Sequence, residues 1–172
     1  MYRKLGKRTL DILLSLVILP LLGLAILIFG PAIWLEDRGT IFYKAKRRGL
    51  HGKIFEMYKF RTMKMNAPDI RNLDNSTYNS PVDPRITKVG RILRKTSIDE
   101  LPQFINVLKG DMSTVGPRPI TIDKPLSDYD SKRRIRLLTR PGITGYSQAY
   151  YRNSISQEEK FEADADYAYN MS

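Results

Sequence analysis

The chain has 172 residues, no cysteine, one histidine, and 29 Lys and Arg against 18 Asp and Glu, a formal net charge of +11. Without cysteine there can be no disulfide, zinc–thiolate site or Cys nucleophile, and a single histidine rules against a His-based triad or a multi-His metal site. The basic excess calls for an anionic partner: a phosphorylated substrate, a lipid surface or nucleic acid.

Arg3, Lys4, Lys7 and Arg8 precede a run from Ile12 to Leu35 that contains no charge. As a straight helix the run would be about 36 Å long, against a hydrocarbon core of roughly 30 Å. It therefore reads as a membrane segment. Basic residues flank both ends, with Arg38, Lys44, Lys46, Arg47 and Arg48 following. The positive-inside tendency then puts both ends on the cytoplasmic side, which a single crossing cannot do. Pro20, near the middle, would break or kink the helix. A re-entrant helix-break-helix over residues 1–37 is the favoured expectation, with a kinked crossing helix as the alternative. Trp34 suits the headgroup level.

Residues 39–63 read as β. Thr40-Ile-Phe-Tyr43 and the run Lys53 to Phe60 are strand-like, and the basic turn Arg47 to Gly52 joins them. His51 in that turn reads as a surface residue. Lys59 and Arg61 are two apart, so on a strand they would share a face and could meet one phosphate. Residues 64–84 are polar and long for a connection, which predicts a mobile or substrate-covering loop. Ile86 to Lys95 reads as a short basic helix with Val89, Ile92 and Leu93 inward and Lys88, Arg91, Arg94 and Lys95 outward.

The central stretch, Lys95 to Pro119, places Asp99 and Glu100 at a helix start, with Ile98, Leu101, Ile105 and Leu108 at the spacing of one buried face. Ser97 and Glu100 fit a capping box. Pro102 allows the other reading, in which the regular helix begins there and the acids sit just before it. An ionised carboxylate at this place can hold Mg²⁺, act as a nucleophile or serve as a general base. Farther on, Asp123 is a candidate helix cap, Gly142 and Gly145 suggest a tight loop that could approach a ligand, and Ser156-Gln-Glu-Glu159 is a second capping box. No phosphate-loop or dinucleotide fingerprint is present.

Several motifs resemble one family in order and spacing: Tyr58-Lys-Phe-Arg-Thr-Met63, Asp83-Pro-Arg-Ile-Thr87, Gly90 to Gln103 with the Asp99-Glu100 pair, Asn106 to Ser113, Gly116-Pro-Arg-Pro119 and Arg140-Pro-Gly-Ile-Thr-Gly145. They resemble the bacterial sugar transferases, specifically the monotopic polyprenyl-phosphate phosphoglycosyl transferases, over nearly the whole chain. The resemblance implies a mostly α protein of α/β class with a small β-hairpin: a re-entrant membrane helix over 1–37 and a catalytic domain over 38–172 on the cytoplasmic face of the bacterial inner membrane. It implies transfer of a phosphosugar from a nucleotide (UDP) sugar to polyprenyl phosphate, releasing UMP and beginning glycan assembly. By the same resemblance Asp99 is the nucleophile and a Mg²⁺ ligand, and Glu100 is its dyad partner. Lys59, Arg61, Arg94 and Arg118 are candidates for neutralising the phosphates, and Arg140 and Arg152 for the nucleotide side. Membrane lipids are expected partners and nucleic acid is not. Oligomeric state stays open, a homodimer included.

The sequence departs from the family pattern in three places. Leu19 stands where a Ser often precedes the membrane proline, Tyr151 where a Gly often precedes the arginine matching Arg152, and the chain ends at Ser172 where members usually add a segment. Three other functions compete with the transferase: a membrane-anchored nucleic-acid binder, a catalytically silent scaffold, and a Mg²⁺-dependent phosphohydrolase.

Overall fold

The computed structural model describes residues 2–70, 78, 80, 82–151 and 156–171. Its first element, α1 (Tyr2–Asp37), is long and apolar enough to cross a membrane. The expected division into two helices at Pro20 is not seen: helical backbone continues through both Pro20 and Pro31. A proline removes one backbone donor and can bend a helix without ending it. Along one stripe, Asp11, Ser15, Leu22, Ala25 and Ile33 are buried. Elsewhere Leu10, Leu13, Leu16, Val17, Leu21, Leu24, Leu27 and Ile28 are exposed, Leu27 by 75%. So large an apolar surface is what a lipid-facing helix presents.

Both ends of α1 are bound to the rest of the chain. β1 (Phe42–Arg48) and β2 (Ile54–Phe60) form an antiparallel hairpin in register from Phe42 opposite Phe60 to Arg48 opposite Ile54. The turn between them needs left-handed backbone at His51 and Gly52. Phe55 and Met57 point inward from β2, while Ile54 and Glu56 face out, the alternation of a half-buried strand. Next comes α2 (Lys88–Thr96), whose Thr87 hydroxyl accepts the Gly90 N–H. Leu93 is fully buried and Val89 packs beside it, but Ile92 is 54% exposed. Gly90 approaches the backbone of Thr62 in its place, where a Cβ would collide with the Thr62 carbonyl.

The second reading of the central stretch is the observed one. Ser97 has φ 57° and ends α2, and its side chain caps nothing, so the first capping box does not form. Ile98–Glu100 make a single 3-10 turn, and α3 (Gln103–Lys109) starts after Pro102 and stops at left-handed Gly110. Ile98, Leu101 and Ile105 are half-buried against a core shared with α1, formed by Leu22, Ala25, Ile33, Phe60 and Leu93. A second core joins Ala45, Phe55 and Met57 to Val107 and Met112.

A parallel pair, β3 (Ser113–Val115) with β4 (Gly142–Thr144), was not expected. Gly142 brings its backbone close to Gly116; a Cβ on either glycine would strike the other segment. Between them lies α4 (Ser131–Arg136), capped by Asp130 and not by Asp123. After α5 (Tyr146–Tyr151), α6 (Gln157–Met171) opens with the second expected capping box: Glu159 accepts the Ser156 N–H and Ser156 accepts the Glu159 N–H.

Candidate active site

Asp99 sits in the short turn between α2 and α3 and is only 9% exposed. Its neighbour Glu100 accepts a hydrogen bond from Lys59 Nζ at 2.6 Å. Lys59 reaches it from β2, whose neighbouring Phe60 packs in the core that takes in Ile98 and Leu101 on either side of the acids. Arg94, in the last turn of α2, donates from Nε to Thr62 Oγ1 at 2.9 Å, and its charge is close enough to favour the ionised form of Asp99. Burial pushes the Asp99 carboxyl above its usual pKa; Lys59 opposes this, Glu100 adds to it and Arg94 opposes it again. The structure therefore brings together four of the residues singled out from sequence: Asp99, Glu100, Lys59 and Arg94.

The other candidates lie in different surroundings. Arg61 is past the last residue of β2, so strand alternation no longer places it beside Lys59. All five of its N–H donors are used within the chain. Nε donates to Thr40 O, Nη1 to Asp37 Oδ2 and Met63 O, and Nη2 to Asp37 Oδ1 and Ile33 O. No donor is left for a phosphate. Arg140 donates from Nε to Gly110 O and lines a cavity of about 170 Å³ with Lys7, Arg8, His51, Thr139 and Tyr167, away from the dyad. Arg118 is exposed and makes no ion pair among the described residues. Arg152 lies outside the described residues, as do 71–77, 79 and 81 of the expected loop 64–84. What is described of that loop is gathered by Arg85, which forks onto buried Asp83 and donates to the carbonyls of Pro68 and Tyr78.

Residues that sequence reasoning passed over hold α1 to this site. Near its start, Lys7 donates to Ser113 Oγ and Val115 O, Arg8 to the α3 carbonyls of Val107 and Leu108, and Asp11 accepts from Ser113 Oγ and Thr114 N. At its far end Glu36 accepts the Lys88 and Val89 N–H groups of α2, and Asp37 holds Arg61. The signal for Asp11 was an acid four residues after Lys7, on the threshold of an uncharged run. Asn106, fully buried, accepts the Tyr58 N–H and donates to Glu56 O, which fixes β2 to α3.

The bacterial sugar transferase family matches the chain over residues 2–172. The chain belongs to that family. EpsL of Bacillus subtilis (strain 168), an uncharacterized sugar transferase, is 45% identical over 166 residues, 96% of this chain and 79% of the relative. The undecaprenyl-phosphate galactose phosphotransferase of Salmonella typhimurium is 41% identical over 180 residues, 95% of this chain. The UDP-glucose:undecaprenyl-phosphate glucose-1-phosphate transferase of Escherichia coli (strain K12) is 38% identical over 167 residues, again 95% of this chain. The chain spans 36% and 35% of the lengths of those last two relatives. This transferase thus aligns with both over nearly its whole length.

The donor set at the dyad suits Mg²⁺, a hard cation that takes one or two carboxylates and fills the rest of its shell with phosphate oxygens and water. Asp99 and Glu100 offer oxygen only, and among the described residues no cluster of three or more His, Cys, Asp or Glu exists that would suggest an all-protein metal cage.

Proposed function

We propose that this transferase moves a phosphosugar from a nucleotide diphosphate sugar, of the UDP class, to polyprenyl phosphate. The observation that carries the reading is the buried Asp99 carboxylate, set beside the Glu100–Lys59 pair and Arg94 in a turn packed against a lipid-facing helix. An Asp99 oxygen attacks the β-phosphorus; a phosphorus–oxygen bond forms to the carboxylate, the bond to the bridging oxygen breaks, and UMP leaves with that oxygen. An oxygen of polyprenyl phosphate then attacks the same phosphorus, the carboxylate leaves, and polyprenyl-diphosphate-sugar is released. Burial leaves Asp99 poorly hydrated and so more reactive toward phosphorus. Glu100, held by Lys59, takes the acceptor's proton. Arg94 and Arg118 neutralise phosphate oxygens as charge shifts between them. When bound, Mg²⁺ on Asp99, with Glu100 adjacent, supplies further neutralisation of the diphosphate. Arg61 has no part in substrate binding.

The membrane disposition we favour is monotopic, with the catalytic part on the cytoplasmic face. Lys7, Arg8 and Asp11 at one end of α1 and Glu36 and Asp37 at the other all bind the same catalytic unit. A helix crossing the bilayer would separate those contacts by the membrane's thickness. The basic flanks favour the same side for both ends.

The test is intact-protein mass spectrometry after mixing the protein with Mg²⁺ and a panel of UDP-sugars without acceptor, beside Asp99→Asn. A phosphosugar mass gain in the wild type alone, with UMP released, is expected. UMP formed only on adding polyprenyl phosphate, without any adduct, would overturn the covalent route. Turnover that ignores polyprenyl phosphate would make the protein a phosphohydrolase.

A further inference from the structure

We propose that Asp164, on the C-terminal helix α6, is a positioning residue for Arg118, setting through the backbone of residue 118 the guanidinium that meets the donor's phosphates. The inference rests on the reading of Arg118 given above. Arg118 stands between Pro117 and Pro119, whose rings fix their own φ. Three main-chain hydrogen bonds hold this loop in sequence. Gly142 N–H donates to Pro117 O at 2.9 Å, Arg118 N–H donates to Asp164 Oδ2 at 3.3 Å, and Arg118 O accepts from Arg136 Nη2 at 2.9 Å. Both main-chain polar groups of residue 118 are therefore taken by one buried ion pair, since Arg136 Nη2 also donates to Asp164 Oδ2 at 3.2 Å. Ser147 Oγ donates to the other oxygen of Asp164 at 2.7 Å and orients the carboxylate. The backbone is clamped while the side chain stays exposed.

Stability alone is a poor account of this pair. Asp164 and Arg136 are 2% and 4% exposed, and among the described residues Arg136 Nε and Nη1 are buried without a hydrogen-bond partner, with the Phe161 ring 4.5 Å from the guanidinium carbon. Such a pair costs about as much to desolvate as its attraction returns, and well-packed apolar residues often serve stability as well. What apolar residues could not do is grip an N–H and a C=O of the same loop residue. The clamp also gives α6 a function: it carries the acid that fixes a loop some 46 residues earlier in the chain.

The experiment compares Asp164→Asn, Arg118→Ala and the double variant with the wild type, alongside Ser147→Ala, a milder change that only frees the carboxylate to turn. Amide exchange over residues 116–120 reads the clamp directly, with the β1–β2 hairpin as the internal control for folding. Asp164→Asn and Ser147→Ala should speed exchange at 116–120 and leave the hairpin unchanged. Asp164→Asn should raise the donor KM about tenfold, the effect of one misplaced hydrogen-bonding group, with a smaller change in kcat. In the Arg118→Ala background Asp164→Asn should add little, because it acts through a side chain already removed. Unchanged exchange at 116–120, or a full additive loss in the double variant, would overturn the clamp. An Arg118→Ala protein with the wild-type donor KM would instead overturn Arg118 as a phosphate ligand, and with it the purpose of holding it.

Discussion

Arg61→Lys separates two roles that the sequence could not tell apart: a ligand for phosphate and a latch for the long apolar helix. Arg61 is 6% exposed, and its five donors serve Asp37 and the carbonyls of Ile33, Thr40 and Met63. Lysine has three donors on one nitrogen and cannot fork onto a carboxylate, so at least two of those acceptors lose their partner. A buried acceptor left without its donor costs about 1–3 kcal/mol; with two such acceptors, and Asp37 keeping 21% of its side-chain surface in water, the loss is roughly 3 kcal/mol. In a chain of this size that lowers the midpoint of thermal unfolding by roughly 6–12 °C. Asp37→Asn should lose a similar amount. Arg61→Leu combined with Asp37→Leu should lose less than either charge removed alone, since no unpaired charge is then buried. The assay is thermal unfolding in nanodiscs, with donor KM measured well below the variants' midpoints. The latch predicts a lowered midpoint and a near-normal KM. An unchanged midpoint with a KM raised tenfold or more would refute it and return Arg61 to the substrate.

Lys59→Met removes the cation that holds Glu100 at 2.6 Å and faces Asp99; adduct formation should slow by about 10²-fold, read as the rate of UMP release. Arg85 holds the Asp83 carboxyl down to about 2 from an ordinary 3.8. The unfolded chain therefore takes up that proton first as pH falls, so the stability Asp83 contributes is complete above about pH 5 and drains away between about pH 4 and 2. Chemical unfolding of wild type and Asp83→Asn should differ by a constant amount near neutrality and converge through that window. Leu27→Lys on the exposed face of α1 should shift protein from the membrane to the soluble fraction, because burying its ammonium in hydrocarbon costs about 2.5–3.5 kcal/mol.

The hairpin, the basic helix α2, the α6 capping box and the acidic pair were legible because each is local: alternation, a cap, or two neighbouring residues carries the signal. Pro102 even offered the observed start of α3, and only the left-handed Ser97 decided between the two readings. The parallel β3–β4 pair was hidden because three-residue strands show no period, and its cause is the fit of Gly116 against Gly142, two glycines far apart in the chain. Lys59 and Arg61 looked alike in sequence. They part company because β2 ends at Phe60, and the acceptors that claim Arg61 come mostly from the end of α1. A pattern of charges two apart cannot reveal that one of them already has five partners.

The same contacts give the apolar helix a mechanical consequence. Arg61 and Lys59 flank Phe60, which is buried in the core that α1 shares with α2. One side chain grips the end of α1 at Asp37, the other grips Glu100 beside Asp99. The neighbouring Glu36 grips the start of α2, whose far end leads into the dyad turn. Two short, independent paths therefore connect the apolar helix to the carboxylates, one through β2 and one through α2. With Lys7, Arg8 and Asp11 binding α3 and β3 from the other end, in the monotopic disposition proposed above the depth of α1 in a bilayer would set the height of Asp99 above the headgroups. On the proposed reaction, that is the plane in which a lipid phosphate would meet a water-soluble donor, a reason for so much polar bonding on a helix whose exposed face is almost wholly apolar.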